Sequence, residues 1–170
     1  PRLEHEIKGQ TLVQIYDRWF SGPLEKEQPS ITKRLDAYEQ QMHYDFIDGL
    51  LDLLTDLKAH GVKTAVVTSS NRPKMESVYL QHPDFRQLFD AVLTSEDFSR
   101  SKPDPECYLK AAERFGAEPE SCIVFEDSFN GLRSGRAAGM KVVGLATTNP
   151  TDAIAPLSDV QTSDYKDMDY

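Results

Sequence analysis

The sequence predicts an α/β fold built on a parallel sheet and fronted by a helical segment. Up to about residue 60 the apolar residues recur at helical spacing; after Gly61 the period changes, and short β-branched runs alternate with helical stretches. Strands separated by helices of this length form a parallel sheet, because parallel neighbours need a crossover connection. Three polar stretches add a chemical clue: Thr68-Ser69-Ser70, Ser101-Lys102-Pro103-Asp104-Pro105 and Phe125-Glu126-Asp127-Ser128 each follow or close an apolar run. Ligands of open parallel sheets sit beyond the carboxyl ends of the strands, so all three stretches are expected at one edge.

The elements follow in order. Thr11 is an N-cap for a helix whose face carries Leu12, Ile15, Tyr16 and Trp19. Ser21-Gly22-Pro23 breaks it, and the chain stays polar to Pro29. Ser30 is expected to cap a second helix, with Ile31, Leu35, Tyr38 and Met42 on one face. A third helix runs from about Asp48 to His60, rich in leucine and stopped by Gly61. The first strand is expected at 62–68, followed by a helix over 72–81 and a strand at 91–94. Asp104-Pro105-Glu106 opens the next helix, with proline in its first turn, and it runs to Phe115-Gly116. A third strand covers 122–126, Ser128 caps a helix ending near Gly139, and a fourth strand covers 141–146. The tail from Thr147 is weakly patterned, with one short strand or helix expected around 153–160.

Size and charge narrow the function. A chain of 170 residues with 39% hydrophobic content suits one domain, or a domain with a small appendage. Its formal net charge of −9 argues against non-specific nucleic-acid or anionic-membrane binding. No apolar run is long enough for a membrane span, and Pro1-Arg2-Leu3-Glu4 leads into no signal-peptide core. The sequence opens on Pro1 without an initiator methionine and is expected to continue a longer gene product. Cys107 and Cys122 are the only cysteines; they form no metal-ligand spacing, and the expected compartment is the cytoplasm. His5, His43, His60 and His82 show no ligand spacing either, and His60 beside Gly61 suits a helix C-terminus.

Each polar stretch has a functional reading and a plain one. Glu126-Asp127, two adjacent carboxylates ending an apolar strand, call for a cation or a hydrogen-bond network. Oxygen ligands suit Mg2+; the plain reading is that Asp127-Ser128 caps the next helix. Lys102, stiffened by Pro103 and Pro105, is a point charge suited to phosphate or carboxylate, or else a solvated loop lysine. Thr68 and Ser69 offer a hydroxyl and free N–H groups at a helix start, which is an anion site or simple capping.

Taken together, the three motifs resemble the haloacid dehalogenase-like (HAD) superfamily, in the subfamily of β-phosphoglucomutases and sugar-phosphate phosphatases. Thr68, Lys102 and Glu126-Asp127 match its second, third and fourth motifs, and the strings Ser101-Lys102-Pro103-Asp104-Pro105-Glu106, Val124-Phe125-Glu126-Asp127-Ser128-Phe129-Asn130-Gly131 and Ala137-Ala138-Gly139-Met140 fit closely. The resemblance covers roughly residues 8–150. It implies a Rossmann-like core over 46–170 and part of a small α-helical cap over 1–45. It also implies Mg2+ held by Asp127, with Glu126 as a second ligand or its support. Lys102 would hold the nucleophile and the transferring phosphoryl group, and Thr68 with the N–H of Ser69 would take a phosphoryl oxygen. In the cap, Lys8 and Gln10 would face the substrate.

One part of the family pattern is missing from this sequence. The family's nucleophile is an aspartate ending a first strand in a D-x-D motif, with the second aspartate as general acid and base. Asp167-Met168-Asp169 follows no apolar strand, and Asp45-Phe46-Ile47-Asp48 has the wrong spacing. In the family that strand lies between those ending at Thr68 and Asp127, so its absence is expected to leave a gap of roughly 9–10 Å with two unpaired edges. The chain alone is therefore expected to be inactive. The expected activity of the full-length parent is that of a Mg2+-dependent phosphatase of small sugar or polyol phosphates, acting through an aspartyl-phosphate as a monomer without nucleic-acid or membrane partners. The alternatives are a β-phosphoglucomutase-type isomerase and, from another class, an inactive pseudoenzyme or binding module. Gln10-Thr11-Leu12 lacks the arginine with which the mutases grip a distal phosphate, which favours the phosphatase.

Overall fold

The structure is a computed structural model and describes residues 6–166. His5, the Pro1-Arg2-Leu3-Glu4 opening and the Asp167-Met168-Asp169 string lie outside the described residues. Helix α1 (Leu12–Trp19) starts as its sequence indicates, with the Thr11 hydroxyl accepting from the N–H of Gln14. A 3-10 segment, Gly22–Glu27, occupies the polar stretch and leads directly into α2 (Gln28–Glu39). Ser30 is therefore not its cap: Pro29 takes a first-turn position, where its fixed φ and missing N–H cost nothing. The apolar face expected on α2 is not buried, with Leu35 38% and Tyr38 67% exposed. α3 (Leu50–Ala59) buries Leu53 and Leu54, and His60 ends it.

The strands are all parallel. β1 (Ala65–Val67) pairs with β2 (Ala91–Leu93) in the register Ala65↔Ala91, with α4 (Arg72–Gln81) and a four-residue helix α5 (Phe85–Leu88) between them. α6 (Glu106–Phe115) then leads to β3 (Ile123–Glu126), and α7 (Phe129–Ala137) to β4 (Lys141–Leu145). α8 (Thr151–Ile154) and a 3-10 turn, Ala155–Leu157, precede β5 (Val160–Thr162). The tail is thus more regular than its sequence pattern indicates. It continues to Tyr165, whose N–H bonds Asp48 O at 2.9 Å and whose ring lies 5.4 Å from that of Phe125.

The strands form two sheets, β1-β2 and β3-β4-β5. Among the described residues no strand pairs with β1 on the side away from β2, or with β3 on the side away from β4. What ties the two halves together is α6. Cys107, Tyr108 and Ala112 enter a core cluster with Val124, Leu132 and Val142, whereas Ala111 enters a second one with Ala91 and Leu93. Val67 touches both. Both cysteines are free thiols, Cys107 buried and Cys122 half-buried just before β3. Among the described residues no helix is long and apolar enough to cross a membrane.

Candidate active site

The three polar stretches meet where β1 and β3 end. Lys102 is only 4% exposed, and its Nζ donates to Val67 O at 3.1 Å and to Glu126 Oε1 at 2.5 Å. One ammonium thus bonds the last residue of each strand beside the break in the sheet. The loop carrying it is fixed from α6. The Glu106 carboxylate accepts from the N–H groups of Ser99 and Arg100 at 3.0 and 2.7 Å and pairs with Lys110 at 2.9 Å.

Glu126 is the hub. Besides Lys102, its Oε1 accepts from the Tyr108 hydroxyl at 2.9 Å, and Oε2 accepts from Asp127 N, Ser128 N and Ser128 Oγ at 3.0–3.1 Å. Burial pushes its carboxyl up, but the Lys102 charge and these hydrogen bonds outweigh burial and hold it below the ordinary value. The carboxylate can lie there because residue 131 is glycine: a Cβ at Gly131 would sit 2.0 Å from Glu126 Cδ. Ser128 meanwhile caps α7, its Oγ accepting from Gly131 N at 3.0 Å.

Asp127, next along, is half-exposed and differently held. Its Oδ2 accepts from the Thr148 hydroxyl, and its backbone carbonyl accepts from Asn149 Nδ2 at 2.8 Å, so Oδ1 is the carboxylate oxygen left over. Across the break, the Thr68 hydroxyl accepts from Ser70 N at 3.1 Å, while Asn71 caps α4 through the N–H of Lys74. The plain capping role therefore belongs to Asn71, and the Ser69 N–H has no partner among the described residues.

A loop from the helical segment covers this edge. Ser69 Oγ donates to Gly9 O at 2.7 Å, Thr11 N donates to Ser101 Oγ at 3.2 Å, and Asn130 Nδ2 donates to Lys8 O at 2.7 Å. Gly9 needs its φ of +81° and its bareness, since a Cβ would approach Ser128 Oγ to 2.8 Å. Both Lys8 and Gln10 lie on this loop. Lys8 contributes its carbonyl, and the Gln10 Oε1 is buried without a partner among the described residues.

Sequence reasoning singled out Thr68, Ser69, Lys102, Glu126 and Asp127, and the structure brings their loops together. It quoted Ser101 and Asn130 within motifs without giving them a role, and it passed over Tyr108, Thr148 and Asn149. The signal for Tyr108 was a hydroxyl on a core-facing helix stripe, which needs a buried partner. For Thr148 and Asn149, partnered only in space, the sequence carried no signal.

The donor set fits Mg2+, a cation usually held by one or two carboxylates together with waters and phosphate oxygens. Among the described residues Asp127 leaves one carboxylate oxygen free, and the buried Asn149 Oδ1 on the same holder lacks a partner. Burial first, then the charges of Asp127 and Glu126, push the Tyr165 hydroxyl up to about 12. Glu126 has both carboxylate oxygens engaged by protein donors. Among the described residues no three His, Cys, Asp or Glu side chains come together to hold a metal unaided.

Comparison with known proteins gives a consistent picture. The model of the family described as haloacid dehalogenase-like hydrolase matches residues 4–145. The chain is 41% identical over 109 residues to the validoxylamine A 7'-phosphate phosphatase of Streptomyces hygroscopicus subsp. limoneus, covering 64% of this chain and 51% of that one. It is 27% identical over 168 residues to hexitol phosphatase B of Escherichia coli (strain K12), covering 94% and 74%. A HAD hydrolase of Entamoeba histolytica superimposes with a TM-score of 0.82 at 20% identity, covering 96% of this chain and 77% of that one, which shows the shared fold. The chain spans about half the length, or less, of the first curated relatives it matches.

Proposed function

The chain belongs to the haloacid dehalogenase-like hydrolase family, and from that premise we propose that it is the phosphate- and metal-holding part of a Mg2+-dependent phosphatase of small sugar or polyol phosphates. The observation that carries this reading is the Lys102 ammonium bonded to the ends of both β1 and β3 at the break in the sheet. A cation placed there meets whatever carboxylate ends a strand lying between them. The reading further holds that such a strand, ending in D-x-D, is supplied by the longer protein and pairs with the free edges of β1 and β3. The division of the sheet at that place supports it.

In this mechanism the first aspartate of the incoming strand attacks phosphorus and the substrate alkoxide leaves, taking its proton from the second aspartate. That residue then activates the water that releases phosphate from the aspartyl-phosphate. Lys102 holds the attacking carboxylate and a phosphoryl oxygen, and the Thr68 hydroxyl with the Ser69 N–H holds another. These groups position the transferring phosphoryl and neutralise its charge, the main contributions open to an enzyme in phosphoryl transfer. Asp127, supported by Glu126, would hold Mg2+, which when bound offsets the negative charge shared by carboxylate and phosphoryl oxygens. The buried Gln10 Oε1 suits a substrate hydroxyl, as expected of a polyol, and Lys8 stands on the same covering loop. Residues 1–45 act as the cap, 46–170 as the core, and the completed enzyme works as a cytoplasmic monomer.

The test uses the protein that carries both this chain and a D-x-D strand. Release of inorganic phosphate from several sugar or polyol phosphates is expected, and Asp127→Ala should abolish Mg2+-dependent turnover while leaving the circular dichroism spectrum unchanged. Undiminished turnover in that variant refutes the metal role. Interconversion of hexose phosphates only when a bisphosphate primer is added indicates a mutase instead.

A further inference from the structure

Asp127 is gripped from a loop to which the mechanism above gives no role. The chain leaves β4 at Leu145, and Thr148 and Asn149 follow within one short connection. The Thr148 hydroxyl donates to Asp127 Oδ2, which fixes the rotation of the carboxylate, and Asn149 Nδ2 donates to the Asp127 carbonyl at 2.8 Å, which fixes the backbone beneath it. Two adjacent residues thus spend their donors on one aspartate 21 and 22 positions away.

Asn149 has no evident duty besides this. The next helix, α8, takes Pro150 as its N-cap, and Ala153 N and Ile154 N bond to the Pro150 carbonyl. Yet Asn149 is only 3% exposed, and its Oδ1 is buried without a partner among the described residues. A flip of the amide would bring Oδ1 against the Asp127 carbonyl oxygen, so the donor contact fixes which end is unpaired. A buried acceptor left unmet is unfavourable, and in a folded protein it calls for a missing water, ion or ligand group.

We propose that Thr148 and Asn149 are positioning residues of the metal site: Thr148 holds Asp127 so that Oδ1 alone is offered to the cation, and the Asn149 Oδ1 accepts a hydrogen bond from a water of the cation's shell. This rests on the reading of Asp127 as a Mg2+ ligand. Residues that orient a ligand in this way change metal affinity by about 10–100-fold when replaced.

The experiment titrates Mn2+, a paramagnetic substitute for Mg2+, into the protein carrying this chain and follows free Mn2+ by electron paramagnetic resonance, so that no turnover is needed. Thr148→Val, which keeps shape but removes the donor, should weaken binding about 10–100-fold, and Thr148→Ser should restore it. Asn149→Leu should weaken it similarly. If that variant gives no cooperative thermal melt, the Thr148 pair decides. Wild-type affinity in Thr148→Val, with binding lost in Asp127→Asn, overturns the inference and leaves the metal reading standing. Undiminished binding in Asp127→Asn, or none in the wild type, overturns the metal reading and the inference with it.

Discussion

Lys102 and Glu126 form a buried ion pair, 5% and 10% exposed at their side chains, and its value lies in geometry more than in attraction. Removing one partner of such a pair strands the other charge, at a cost of about 3–5 kcal/mol, whereas apolar replacement of both is often nearly neutral. Lys102→Met should therefore lower unfolding free energy by about that amount in urea titration, and the double variant Lys102→Met, Glu126→Leu by clearly less. A loss in the double variant equal to the sum of the Lys102→Met and Glu126→Leu single losses would show that the pair is not coupled. Gly131→Ala should cost about 1–3 kcal/mol in the same titration, because its methyl group displaces the Glu126 carboxylate from its bed. Thr68 and Asp127 were readable because each stands in a motif at a strand end, and Lys102 because it stands in a proline-stiffened loop motif. Tyr108 and Asn149 were not, since their meaning is a partner that only the fold brings near.

Elements with a clear period or cap were legible. Helix α1 lies over the residues its apolar spacing indicates, and Ser128 caps α7 as the sequence implies. Short α5 was missed because four residues carry no helical period. The start of α2 was misjudged because Pro29 fits a first turn as well as it fits a break. The Lys102 loop depends on the first turn of α6. The hydrogen bond from Lys110, then the Ser99 N–H, hold the Glu106 carboxyl well below the usual carboxylate range. A depressed carboxyl contributes stability that is fully present above its unfolded value, 4.5, and lost as pH falls through the lowered one. The stability lost between about pH 5 and pH 2 should therefore be smaller in Glu106→Gln than in the wild type, measured by thermal melts across that range. An identical acid profile would remove Glu106 from the account of the loop.

At the scale of the molecule the governing feature is a sheet in two parts, joined through α6 and Val67. Family resemblance led to the expectation of unpaired edges beside Thr68 and Asp127, and β1 and β3 are indeed not paired with each other. Periodicity alone could not foretell this, because it locates strands and leaves their neighbours open. Local opening follows the number of ladder partners. In hydrogen exchange, the amides of β4, paired on both sides, should be protected longest, and those of β1 and β3 that point away from their partners should exchange far sooner. Equal protection across all three strands would mean that the halves close on each other in solution.

The two edges without a partner among the described residues also govern how the isolated chain behaves in the test tube. Each offers a row of backbone donors and acceptors to any extended segment it meets, and a second copy of the chain is the commonest such visitor in a concentrated solution. The isolated chain should therefore build up light-scattering oligomers as it is concentrated. A short apolar peptide that occupies the edges should disperse them, acting as a solubiliser by the same contacts that would make it a structural part.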